Sequence, residues 1–177
     1  MDTLAVRDAR GGDELAMEEL LVAAWQTAYT GVVDPSFVAT RRTNDYAGKF
    51  RSMLESGEYR VRVAEIDGRV VGLATGAPLD SGSYDCETKG LYVHPEYQGR
   101  GIGSALLRDM MEHFRRRGCR SMVVWTFLGV KNNGFYRAMG GTIREQEERQ
   151  YGGKIYRMAG FAFCLSEKGA ASDEDPA

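Results

Sequence analysis

Apolar and polar positions change their period several times along this chain, and each change marks an element. From Gly101 to Arg117, Ile102, Leu106, Met110 and Phe114 recur every four residues, with Arg108, Glu112, Arg115 and Arg116 opposite. That spacing predicts an amphipathic helix, closed by Gly118. Leu20, Ala24 and Trp25 predict a buried face on an earlier helix, from an N-cap at Asp13 to about Tyr29. Tyr46, Phe50 and Leu54 do the same for a helix from about Asp45 to Glu55, ended by Ser56-Gly57. Gly31 and Asp34-Pro35 punctuate the stretch between the two. Thr3 to Arg7 alternates and reads as a first strand. Tyr59 to Glu65 and Val70 to Gly76 read as a hairpin, because the Asp67-Gly68 pair between them tolerates positive φ. A fourth strand covers Tyr84 to Val93. Arg120 to Phe127 is almost unbroken apolar, which predicts a central strand covered on both faces. A short helix, Lys131 to Met139, ends at Gly140-Gly141. Two last strands, Thr142 to Gln150 and Ile155 to Cys164, turn at Gly152-Gly153. The order implies one mixed α/β domain over residues 1–165, with an acidic, disordered tail over 166–177.

Composition narrows the function classes. The 177 residues are 43% hydrophobic and 27% charged, enough for an apolar core without disulfide or metal staples. Lys plus Arg number 23 against 25 Asp plus Glu, so there is no basic excess of the kind nucleic-acid binders carry. Cys86, Cys119 and Cys164 form no CxxC pair, and His94 and His113 form no metal motif, so no metal is expected. No stretch approaches the roughly 18 apolar residues of a membrane span, and Met1 to Arg10 does not read as a signal peptide. A soluble, cytoplasmic protein with no nucleic-acid or membrane partner is the expectation.

One segment carries chemistry. After the fourth strand the chain runs Tyr92-Val93-His94-Pro95-Glu96-Tyr97-Gln98-Gly99-Arg100-Gly101-Ile102-Gly103 into the clearest helix. A helix's first turn has free N–H groups and a partial positive charge, and glycines let an anion approach them. The loop suits a phosphate or pyrophosphate. It is not a Walker A loop, since no Gly-Lys-Ser/Thr follows, and it lacks the sixth-position Gly of the dinucleotide fingerprint.

Gln98-Gly99-Arg100-Gly101-Ile102-Gly103 resembles motif A of the GNAT superfamily of N-acetyltransferases, Gln/Arg-x-x-Gly-x-Gly/Ala. Leu91-Tyr92-Val93-x-Pro95-x-Tyr97 is similar to that family's fourth strand and turn, and Phe135-Tyr136 with Gly140 to its second cofactor motif. Trp25-x-x-x-Tyr29-x-Gly31 with Asp34-Pro35 resembles the first-helix region of a common bacterial branch. The resemblance implies a central mixed, mostly antiparallel sheet with a splayed fourth strand and helices on both faces. It implies acetyl-CoA as co-substrate and an amine of a small molecule or peptide as acceptor, with a homodimer as a family habit. A non-catalytic acyl-CoA-binding regulatory module on the same fold is the alternative.

The resemblance also assigns residues. Backbone N–H groups of Gln98, Gly99, Arg100, Gly101, Ile102, Gly103 and Ser104 would hold the CoA pyrophosphate, with Arg100 adding charge. Leu91, Tyr92 and Val93 would line the pantetheine arm, and the Val93 N–H would polarise the thioester carbonyl. An alkylamine has a pKa of about 10.4 and must lose a proton before it attacks. Glu87 is the candidate base, with Asp85 in reserve on the same face of an ideal strand. Tyr136 is the candidate proton donor to the departing thiolate. Gly129 and Val130 stand where the family often has asparagine; Asn132, which with Asn133 also suits a cap of the short helix, is carried forward as a cofactor contact. Trp25, Tyr29 and Tyr46, with Glu87, are candidates for the acceptor site.

Overall fold

The computed structural model describes residues 3–42 and 45–166; the tail expected from Ser166 onward falls, from 167 to 177, outside them. Seven strands form one sheet: β1 (Leu4–Asp8), β2 (Arg60–Ile66), β3 (Arg69–Pro78), β4 (Cys86–Val93), β5 (Ser121–Phe127), β6 (Thr142–Tyr151) and β7 (Lys154–Cys164), in the order β1-β2-β3-β4-β5-β7-β6. Every neighbouring pair is antiparallel except β4 with β5. The helices are α1 (Glu14–Ala28), α2 (Pro35–Ala39), α3 (Tyr46–Ser56), α4 (Ile102–Arg116) and α5 (Asn132–Ala138). Short 3₁₀ turns at Thr40–Arg42 and Pro95–Tyr97 fill two of the connections.

The sheet separates two cores. On one face Ile102, Leu106, Met110 and Phe114 of α4 meet Ala64, Val71, Met122 and Phe161, and α5 adds Tyr136. On the other, Met17, Leu20, Leu21 and Trp25 of α1 meet Phe50 of α3, Val63, Leu73 and Phe127. The four-residue repeat in α4 is therefore a core stripe, and β5 is covered on both faces as its unbroken apolar run predicts. β4 bulges at Lys89: Thr75 pairs with Gly90 and Gly76 with Thr88, leaving one residue over. Such an extra residue bends a strand and sharpens its twist.

Two local readings need correction. Asp13 stands at the N-cap of α1, but its carboxylate is taken by the Arg7 guanidinium, at 2.8 and 3.0 Å, and by the Arg10 N–H, not by the helix. The punctuation at Asp34-Pro35 is the start of α2, with Asp34 Oδ1 accepting from the Ser36 N–H at 2.8 Å and Pro35 in the first turn.

Candidate functional site

β4 pairs with β5 only through Cys86, Glu87 and Thr88, so beyond Thr88 the two strands part. His94 N–H donates to Val71 O at 2.9 Å. In an antiparallel pair hydrogen bonding alternates along the strand, so the N–H and C=O of Val93 turn away from β3 toward the gap. Gln98 Nε2 donates to the Val93 carbonyl at 3.1 Å and ties the following loop to this strand end.

That loop delivers the N-terminus of α4. Gly101 is its N-cap, at φ 79°, and no side chain caps the helix. Gly99 has φ 77°. A Cβ built on either glycine would meet nothing within 4 Å, so side chains do not fill the cradle. A Cβ on Gly103 would lie 3.6 Å from Val93 Cγ2 and 3.5 Å from Phe135 Cζ, which sets the helix start directly beside the strand end. Uncapped N–H groups beside open glycines fit a pyrophosphate, and an unpaired strand edge leading to them fits an extended amide-bearing arm. Arg100 stacks on Tyr97, with its guanidinium 5.0 Å from the ring, and donates to Glu96 O at 3.4 Å.

The gap also brings hydroxyls together from both faces. Tyr136 belongs to the α4-side core and packs on Phe161, with ring centroids 5.3 Å apart. Tyr29 and Tyr92 belong to the α1-side core, yet Tyr92 adds to the upward push on the Tyr136 phenol, and Tyr136 to that on Tyr29. Burial pushes all three phenols up, so each is a neutral donor at any ordinary pH. Trp25 Nε1–H donates to Tyr92 Oη at 3.4 Å.

Glu87 is half-buried on the α1 side of β4, one residue before pairing with β5 ends, with Lys89 Nζ 3.7 Å from Oε2. Asp85 is different. Its carboxylate accepts the N–H groups of Arg120 and Ser121 at 2.7 and 3.0 Å, which hold it below the usual carboxylate range and occupy it at the head of β5. The two asparagines do not cap α5, whose N-cap is Lys131. Asn133 is buried, accepting from Gly129 N–H at 2.9 Å and donating to Phe127 O at 3.0 Å, so it shapes the loop. Asn132 turns its Oδ1 inward to the Thr126 hydroxyl, 3.2 Å away.

Trp25, Tyr29 and Tyr46 all enter the α1-side core, where Trp25 and Tyr29 belong to a larger group of rings. Trp25 lies 5.9 Å from Phe127 and 6.3 Å from Phe37, and Tyr151 5.3 Å from Phe127, centroid to centroid. Arg41 stacks into it. These members come from separate elements, so no spacing in the sequence marks them. Among the described residues no helix is long and apolar enough to cross a membrane, and no three His, Cys, Asp or Glu are grouped as metal ligands.

Comparison with known proteins places this geometry. A family model described as the acetyltransferase (GNAT) family matches residues 17–140. The uncharacterised N-acetyltransferase YuaI of Bacillus subtilis is 28% identical over 138 residues, 76% of this chain and 78% of that protein. The PaiA N-acetyltransferase of Thermoplasma acidophilum, solved in complex with coenzyme A, superposes with a TM-score of 0.73 at 18% identity, over 89% of this chain and 98% of that one. YncA of Salmonella typhimurium, a putative acetyltransferase solved with acetyl-CoA, gives 0.66 at 24% identity, over 94% and 96%.

Proposed function

This chain belongs to the GNAT acetyltransferase family, and from that premise we propose that it transfers an acetyl group from acetyl-CoA to a primary amine of a small molecule or peptide by direct attack on the thioester. The observation that carries the reading is the unpaired Val93 edge of β4 running straight into the uncapped, glycine-lined start of α4. Bound acetyl-CoA would supply an activated acyl thioester. Gln98 to Ser104 would hold its pyrophosphate through main-chain N–H groups, without a metal ion. Leu91, Tyr92 and Val93 would line the pantetheine arm, and the Val93 N–H would hold the carbonyl oxygen.

The remaining roles follow from proton positions. An alkylammonium cannot attack, so a base must take its proton. Glu87 is the carboxylate nearest in sequence to the point where β4 and β5 part, and it is the base in this reading. Tyr136 is buried, neutral and free of ion pairs among the described residues, which suits a hydroxyl that donates to the leaving thiolate. Asn132 would reach the arm from the opposite wall. Trp25 and Tyr29 would bound the acceptor.

Melting the protein with acetyl-CoA, CoA or ATP tests the donor. A ligand at a hundredfold excess over its Kd adds about 2.7 kcal/mol, roughly 5–10 °C in Tm for a chain of this size. Acetyl-CoA and CoA should shift the melt, and stabilisation by ATP alone would sink the assignment. Thiol release across a panel of amines then tests transfer; binding with no release from any amine would favour a non-catalytic module.

A further inference from the structure

The acceptor side of the gap holds a cation that the reaction above does not use. Arg41 lies in the Thr40–Arg42 turn, between α2 and α3. Its guanidinium carbon is 4.1 Å from the centroid of the Trp25 ring, 4.4 Å from that of Phe37 and 5.9 Å from that of Tyr46. Nη1 donates to Tyr46 Oη, and the Nε–H is buried with no hydrogen-bond partner. No carboxylate among the described residues forms an ion pair with Arg41. The acidic groups nearby are engaged elsewhere: Glu18 accepts the N–H groups of Tyr46 and Ala47, Asp45 caps α3, Asp34 pairs with Lys154, and Glu87 faces Lys89. The charge is therefore set among aromatic faces, which attract a cation but do not neutralise it.

Its position relates it to the reacting centre. The Trp25 ring on which Arg41 stacks donates its Nε1–H to the Tyr92 hydroxyl at 3.4 Å. Trp25 thus links the guanidinium to Tyr92, on the stretch of β4 that has parted from β5. With Nη1 taken by Tyr46 and the Nε–H covered, the open Nη2 is the donor left to meet a carboxylate in a charged hydrogen bond.

Resting on the acetyl-transfer reading, we propose that the acceptor is an amino-acid-like zwitterion, whose carboxylate pairs with Arg41 while its amine points into the gap between β4 and β5. The carboxylate pairs with the guanidinium through Nη2 and neutralises the cation. The surrounding rings bound the acceptor's apolar body.

The test uses the full chain, acetyl-CoA and matched sets of acceptors: an α-amino acid, its carboxamide and the amine left by removing the carboxyl group, for several side chains. Thiol release should give the amino acids about 10- to 100-fold higher kcat/KM than their partners, as one charged hydrogen-bonded pair provides. The difference should reside mainly in KM. Arg41→Gln should bring the ratio close to one by losing the amino acids alone, and Arg41→Lys should restore part of it. A wild-type enzyme that acetylates the carboxamide or the decarboxylated amine equally well or better overturns this proposal and leaves acetyl transfer standing. So does a carboxylate preference that survives in Arg41→Gln. Absence of thiol release from every amine overturns both.

Discussion

The Tyr136 phenol is buried between Phe135 and Phe161 and its pKa is driven up chiefly by that burial, with the neighbouring Tyr92 adding to it. Such a group stays protonated while an alkylamine acceptor deprotonates near about pH 10.4. The kcat/KM profile should therefore rise with pH as the amine loses its proton, with no falling limb from Tyr136 below that range. Tyr136→Phe removes one oxygen and keeps the ring packing. Turnover should fall about 100-fold, the usual scale of a positioned proton donor, with the KM for acetyl-CoA within about twofold; an unchanged rate would remove the hydroxyl from the chemistry. At this scale the sequence was legible at Gly99 and Gly101, where a loop unobstructed by Cβ atoms was expected and nothing lies within 4 Å of either position. It was not legible for Asp85, because the same-face argument assumes an ideal strand. Asp85 stands just before β4, where the Arg120 and Ser121 N–H groups capture its carboxylate. Arg41 was invisible for a different reason: its partners Trp25, Phe37 and Tyr46 lie on α1, α2 and α3, and only folding stacks them around it.

Among elements, α4 was legible almost to the residue because an uninterrupted four-residue apolar repeat has no other reading. The five-residue α2 contains no repeat to read, although Asp34 before Pro35 carried a capping signal. The junction from β4 to α4 is where element geometry becomes function. Gly101 sits at φ 79°, where a side chain is strained by about 1–2 kcal/mol. Gly101→Ala and Gly101→Asp both carry that strain, and only Asp adds a negative charge where an anion should sit. Calorimetric titration should find CoA binding at least tenfold weaker in the Asp variant than in the Ala variant. Equal affinities would mean that the α4 N-terminus does not face the pyrophosphate. The loop from Phe127 to Gly129 depends in the same way on buried Asn133. Asn133→Ala leaves a main-chain donor and a carbonyl without partners and should destabilise by about 2 kcal/mol in a denaturant melt.

Across the whole molecule, two cores pack on opposite faces of one sheet, so what joins distant elements matters to both. Arg62 forks onto Asp109 at 2.7 and 2.9 Å and fastens α4 to β2. Arg7 bridges Asp13 at the head of α1 to Glu65 on β2, with its Nε 2.8 Å from Glu65 Oε2. The Arg7 hydrogen bonds hold the Asp13 carboxyl below its ordinary value of 3.8, against the opposing effect of burial. A carboxyl depressed in the folded state binds its proton less readily there than in the unfolded chain. It therefore contributes fully above about pH 5 and progressively less as the pH falls through 3.8 toward its lower folded value. Asp85 and Glu112 are shifted in the same direction, by main-chain N–H groups and by Arg115 respectively, so their contributions fade over the same acid window. Asp13→Asn keeps the shape and removes the charge. At pH 7 it should cost about 1–2 kcal/mol, a Tm lower by about 2–8 °C. The gap between variant and wild type should close as the melts are taken down toward pH 2, because the wild-type carboxyl is by then protonated as well. A gap that stays constant from pH 7 to pH 2 would mean that Asp13 contributes through its packing, and that the bridge between α1 and β2 does not depend on its charge.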